Sequence, residues 1–281
     1  LVFLGLVFVV GQAGAQTTEK GHEMVRGELN FRAKAEYLRL HPEPLIIQWK
    51  DTTRKGRIPL HLDPIDPTLL RGRLSGSIPV IPPSAPASFM PVSPSPDTTF
   101  ESTLDNGTTI PPDTHGAIDS NYCVTAVNSA VRIQTRSGTS VSQISLNSFW
   151  SSVLPGGGSF DPRVHYDPYT NRWILVAVSG AQSSTSSVLL AVSKTGNPTG
   201  EWWQYKITAY SAGDYWLDFP NVGINNKWIT VSGVLFQNTG GGYGGCKTFI
   251  FDKSTVSSGA SAPFTAITQS GSGNICPAIT Y

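Results

Sequence analysis

The sequence predicts an all-β chain built from repeated units of short antiparallel strands. Three observations predict it. Charged residues are only 14% of the chain, while Gly numbers 28 and Pro 21, a balance that favours turns and short strands over helix. Residues 160–178, FDPRVHYDPYTNRWILVAV, read as two β-rich runs around an Asp/Pro/Asn turn, which is a hairpin. The chain then repeats that layout at Asp218–Val231, where Asp, Pro, a short strand and a polar turn lead into Trp228-Ile229. Pro162 and Pro220 are 58 residues apart, and Pro277 follows 57 later. A looser copy precedes them at Asp113–Val124. A fixed period of this size in strand-forming sequence indicates a radial or solenoid β architecture.

Taken in order, Leu1–Val10 is an apolar run followed by Gly11-Gln12-Ala13-Gly14-Ala15. That pattern predicts a signal peptide cut after Ala15, hence export to the extracellular space or cell surface. A buried strand or a membrane anchor is the alternative, but the run is too short to span a bilayer. The sequence predicts a leader over residues 16–75. Within it, Glu23–Leu40 carries a helical apolar stripe interrupted by Gly27 and stopped by Pro42 and Pro44. Residues 76–99 form a Pro/Ser-rich spacer, since proline fixes φ and removes backbone donors. The β domain is expected over 100–281. Residues 1–75 hold 11 basic against 8 acidic side chains, and 76–281 hold 9 against 11. The net charge of +1 offers no field to recruit nucleic acid.

Within the β domain a first unit runs Tyr122–Val127, Ala130–Thr135 and Val141–Leu146. A second runs Arg163–Tyr166, Arg172–Ser179, Ser187–Ser193 and Trp202–Ile207. A third runs Asn221–Ile224, Lys227–Leu235, Lys247–Asp252 and Phe264–Thr268. Four antiparallel strands per unit make the blade of a β-propeller, so the expectation is about three blades plus the first strand of a fourth. Trp173 and Trp228 fall on second strands, where a large ring packs between neighbouring blades. A propeller closes with about 4–8 blades, so the chain reads as an incomplete propeller, truncated at both ends.

Four ordered motifs then carry a resemblance: Pro111-Pro112-Asp113-Thr114-His115-Gly116-Ala117, Asp161-Pro162-Arg163-Val164-His165-Tyr166-Asp167, Ala191–Trp202 and Asp218-Phe219-Pro220-Asn221. The series resembles a family of large secreted bacterial β-propeller proteins with PPDT-x-GA, DP-x-V-x-YD and AVS-x-TGDPTG-x-W motifs. It covers about residues 100–281 and implies the propeller fold and an extracellular setting. It says little about activity, because propellers host many functions. This chain has Asn197 where the family usually shows Asp, and Asn225-Asn226 in place of a longer aromatic turn.

Asp113, Asp161 and Asp218 stand at the starts of three successive inner strands, which converge on one mouth of a propeller. A ring of carboxylates there could bind calcium, which wants several oxygen ligands. The competing reading is that each Asp caps its own turn. Asp214 and Asp218 flank Tyr215-Trp216-Leu217 and are the candidate catalytic carboxylates of a glycosidase or sialidase-like cleft. No G-x-S-x-G, H-E-x-x-H or C-x-x-C pattern is present, which argues against a serine hydrolase or a zinc site. Of a dense aromatic set, Trp203, Tyr210 and Tyr215 are expected to be exposed and to bind ligand. Cys246 and Cys276 could pair in an exported protein, leaving Cys123 as a buried thiol. Two function classes follow. One is a binding or scaffolding propeller for an extracellular glycan or protein, with calcium as the possible cofactor. The other is a carbohydrate-active hydrolase with its acids on the same face. Neither involves nucleic acid or membrane insertion of the mature chain.

Overall fold

The computed structural model describes residues 16–21, 24–43, 95–104, 109–261, 263–271 and 273–280. The expected signal peptide and most of the expected spacer lie outside them. Contacts divide the chain into two units, Leu1–Gln48 with Phe100–Tyr281, and Trp49–Thr99. Of the second unit residues 95–99 are described, and they form neither helix nor strand. Among the described residues no helix is long and apolar enough to cross a membrane.

The first unit is all-β, with the antiparallel sheets of an incomplete propeller. It begins with β1 (Gln16–Gly21), β2 (Val25–Asn30) and α1 (Phe31–Leu40). The first blade is β3 (His115–Ile118), β4 (Tyr122–Val127), β5 (Ala130–Thr135) and β6 (Ser140–Ser145), in that spatial order. A single-turn helix, α2 (Leu146–Trp150), follows; the Ser145 hydroxyl caps it by accepting from Ser148 N. The second blade is β7 (Ser159–Asp167), β8 (Arg172–Ser179), β9 (Ser187–Ser193) and β10 (Glu201–Thr208). The third is β11 (Tyr215–Ile224), β12 (Trp228–Gln237), β13 (Tyr243–Asp252) and β14 (Phe264–Gln269), with α3 (Lys253–Ser257) between its last two strands. Each strand predicted from the repeat is present, and each blade is a sequential antiparallel meander.

The second blade explains why β8 reads as a continuous apolar run rather than an alternating one. Side chains alternate across a strand. Ile174, Val176 and Val178 enter a core shared with Val222, Ile229, Val231 and Phe249 of the third blade. Trp173, Leu175 and Ala177 enter the opposite core, with Val124, Ile133, Phe149 and Trp150 of the first. A strand buried on both faces needs no polar side, and the whole of β9 is buried as well.

Three findings correct the sequence reading. First, the expected irregular leader supplies strands where it is described. β1 pairs antiparallel with β14, and β2 with β10, each adding a fifth strand outside a blade. Their pairing covers backbone groups that an outer strand would otherwise present bare. Of the predicted helix, Val25–Asn30 is therefore a strand and only Phe31–Leu40 a helix, capped by the Asn30 side chain at Ala33 N. Gly27 is not a helix interruption. It lies in β2 against Ser152 and Val153, where an added Cβ would clash.

Second, Trp173 and Trp228 are not equivalent. The strand partners are Asp167↔Arg172 and Tyr166↔Trp173 in one blade, and Ile224↔Ile229 in the other. Asn225 N donates to Trp228 O, so Trp228 occupies the place of Arg172. A one-residue offset reverses the face. Trp173 is accordingly fully buried, whereas Trp228 is 36% exposed beneath Lys227. Third, Cys246 and Cys276 do not form the expected bridge, and Cys123 is half-buried rather than buried. The Cys246 thiol donates to Gly273 O at 2.7 Å.

Residues 273–280 behave as the start of a further blade. Ile279 bridges Ile224 in parallel, and Thr280 N donates to Ile224 O at 2.9 Å. Gly223 permits the approach, since a side chain there would collide with Pro277 and Thr230.

Candidate functional site

The inner strands β3, β7 and β11 lie side by side, and each carries an irregular residue within it or just before it. Asp113, Asp161 and Phe219 all have φ near +50° (47°, 51° and 51°). Two of these residues are β-bulges, because the register slips between Phe160 and Arg163 in β7 and between Asp218 and Asn221 in β11. Aspartate tolerates the left-handed region because its short side chain can bond locally; phenylalanine does not share that tolerance. A bulge re-aims the side chains beside it. Phe219 therefore stands where Asp161 does, and Asp218 one residue earlier, yet Asp218 still reaches the other two carboxyls.

Asp161 is at the centre of this cluster, 9% exposed. Burial first, then the neighbouring Asp113 and Asp218 charges and hydrogen bonds to both carboxylates, push its pKa up to about 7. Asp218 is also raised by burial, although Phe219 N donating at 2.9 Å and the bond from Asp161 oppose the shift. The two carboxyls titrate as a pair, and burial raises both. Asn128 ties the first two blades to the cluster. Its amide nitrogen donates to Asp113 Oδ2 (2.6 Å) and Pro111 O (3.0 Å), and its Oδ1 accepts from Asp161 N (2.6 Å).

Beside the cluster, the His115 and His165 rings lie 4.9 Å apart. His115 Nδ1 accepts from Val164 N at 3.3 Å. Burial, the facing His115 and Arg163 push His165 down to about 4, and burial with Arg163 lowers His115. Both are therefore neutral near pH 7. The Arg163 guanidinium donates to Pro220 O at 2.9 Å and lies 5.2 Å from the Phe219 ring centre.

A cavity of about 420 Å³ opens next to this cluster. Asp218, Trp216, Phe236, Gln182, Gln237 and Asn238 line it. The Trp216 and Phe236 ring centres are 5.6 Å apart, and the Phe160 ring centre lies 6.3 Å from that of Trp216. Gly240 and Gly241, both at positive φ, complete the lining. The Asn238 amide is oriented by its nitrogen donating to Gly213 O at 2.6 Å. Its Oδ1, like Trp216 Nε1, is buried in the wall without a hydrogen-bond partner.

The predicted residues divide accordingly. Asp113, Asp161 and Asp218 come together, but Asp161 and Asp218 sit at bulges inside β7 and β11 rather than at the strand starts. They do not form the expected calcium ring: among the described residues no group of three His, Cys, Asp or Glu side chains is disposed to hold a metal ion. Asp214 is exposed and stands beside Tyr210, apart from this group, so it does not pair with Asp218. Trp203, Tyr210 and Tyr215 are not exposed platforms. All three are half-buried against the core between the second and third blades. Lys194 lies 3.7 Å from the Trp203 ring centre, and Tyr210 and Tyr215 pack edge to face at 5.0 Å. Sequence reasoning missed Trp216, Phe236 and Asn238. The signal available was the glycine run Gly240-Gly241-Gly242, shortly after the strand bearing Phe236.

No protein-family model and no curated protein matches the chain. Partial likenesses occur among solved structures. One is to the subtype N11 neuraminidase-like protein of A/flat-faced bat/Peru, at 15% identity and a TM-score of 0.32, over 50% of this chain and 36% of that one. Another is to an arabinanase of Bacillus subtilis, at 15% identity and 0.31, over 50% and 65%. A third is to a GH43 endo-arabinanase of Bacillus licheniformis, at 15% identity and 0.29, over 50% and 64%. The chain thus spans less than two thirds of the length of each.

Proposed function

We propose that the protein is an extracellular carbohydrate-binding propeller that holds a sugar in the cavity beside the inner-strand aspartates. The supporting observation is the composition of that cavity. Aromatic rings offer apolar faces to the C–H surfaces of a sugar, and a few fixed polar groups select its hydroxyls. Trp216 and Phe236 supply the first; Asp218, Gln182, Gln237 and Asn238 supply the second. The extracellular setting rests on the apolar segment and small-residue cleavage pattern at Leu1–Ala15.

One observation favours a second reading, glycoside hydrolysis. Burial and the neighbouring Asp113 and Asp218 raise Asp161 to about 7, which suits a general acid near neutrality. Hydrolysis at a glycosidic bond needs the two carboxyls about 5–10 Å apart, with substrate or water between them. The direct hydrogen bond between Asp161 and Asp218 is shorter than that, so binding is the reading preferred. A glycan array followed by reducing-sugar assays on its hits separates the two. Binding lost in Trp216→Ala, with no sugar released, supports the binding function. Turnover abolished by Asp161→Asn supports hydrolysis. Binding by the array that is indifferent to Trp216→Ala contradicts both.

A further inference from the structure

We infer that the sugar held in this cavity carries a protonated amine: a hexosamine with a free ammonium group, not an acidic or N-acylated sugar. The inference rests on reading the cavity as a carbohydrate site. Its formal charge has one sign. Asp218 is its one ionisable lining residue, and no Lys or Arg is among the lining residues. The nearby guanidinium of Arg163 is already committed to Pro220 O and the Phe219 ring. A uronic or sialic acid would bring a second anion to this wall and find no cation to receive it.

The remaining lining suits an ammonium. Two aromatic rings beside a carboxylate attract a cation through their negative faces and the charge together. Gln182 and Gln237 add neutral hydrogen-bonding side chains to the lining. An acetamide at the same carbon would neutralise the charge and add bulk.

The experiment uses the full chain and three tetrasaccharides with the same β-1,4-linked backbone, differing only at C2: cellotetraose (hydroxyl), chitotetraose (acetamide) and its deacetylated tetra-glucosamine (ammonium). Tetragalacturonic acid serves as the anionic probe. Calorimetric titrations at pH 6, in 20 and 300 mM NaCl, read the affinities. The inference expects tetra-glucosamine to bind at least tenfold more tightly than cellotetraose. That advantage should shrink several-fold at high salt and disappear in Asp218→Asn, with no binding of the uronic acid. Should Asp218→Asn fail to fold, the salt dependence on wild type still decides the charge term. Equal binding of cellotetraose and tetra-glucosamine overturns the amine preference and leaves the carbohydrate reading standing. Binding of none of the four overturns both.

Discussion

Replacing Asp161 with asparagine should change how stability depends on pH, and the sign can be worked out. In the unfolded chain its carboxyl titrates near 4; in the folded protein burial, Asp113 and Asp218 hold it at about 7. Between those values the native state binds the extra proton, so stability falls as pH rises from 4 to 7 and stays low above it. From pH 5 to pH 8 the titration spans about two units below the folded pKa. At about 1.4 kcal/mol per unit the loss is at most about 2.7 kcal/mol. Sharing of the proton with Asp218 and partial solvent access reduce this to about 1–2 kcal/mol. His165 and His115 work in the opposite direction, because their lowered pKa values make stability rise with pH up to about 6.5. Neither shift has an aspartate among its causes, so subtracting the variant's profile from the wild-type profile removes them. Asparagine also tolerates the positive φ at this position. Urea unfolding at pH 5 and 8 should show wild type losing about 1–2 kcal/mol more than Asp161→Asn. Parallel profiles for the two proteins would refute the buried shared proton.

Other consequences follow from single contacts. Asn128→Ala removes three hydrogen bonds and leaves Asp161 N bare, so urea unfolding should show a loss of about 2–4 kcal/mol. Lys253 and Asp167 are 2% and 1% exposed and 2.8 Å apart, and Lys253 Nζ also donates to Asn225 O. Lys253→Met strands a buried carboxylate and should cost about 3–5 kcal/mol by denaturant midpoint, with part regained by adding Asp167→Asn. Phe219→Gly removes a bulky side chain from φ 51°. The relief, about 1–2 kcal/mol, exceeds the lost Arg163–ring contact, so the midpoint should rise slightly.

The repeat was legible because strand starts carry compact signals: a Pro after a left-handed residue, then a short apolar run. Those signals located the inner strands and brought Asp113, Asp161 and Asp218 together. What they could not carry was register. Trp173 and Trp228 look alike in sequence, but the turn after Asp167 has four residues, and the turn after Asn225 has two. Only pairing shows that the second tryptophan has changed face. The leader was misread for a related reason. β1 and β2 are polar edge strands whose partners, β14 and β10, lie more than 170 residues away, so no local pattern marks them. The cavity was missed because Trp216 and Asn238 meet only through the β11–β12 pairing and the turn that follows it.

The most direct test watches the indole N–H groups. The chain has seven tryptophans, giving seven indole signals in a ¹⁵N–¹H correlation spectrum. Trp173 and Trp202 donate to Gly196 O and Pro198 O, while Trp216 Nε1 sits partnerless in the cavity wall. Titration with the best-bound oligosaccharide should shift the Trp216 signal in a saturable way and leave those of Trp173 and Trp202 in place. A saturable shift at Trp203 or Trp228 with Trp216 unmoved would place the ligand elsewhere and contradict the account.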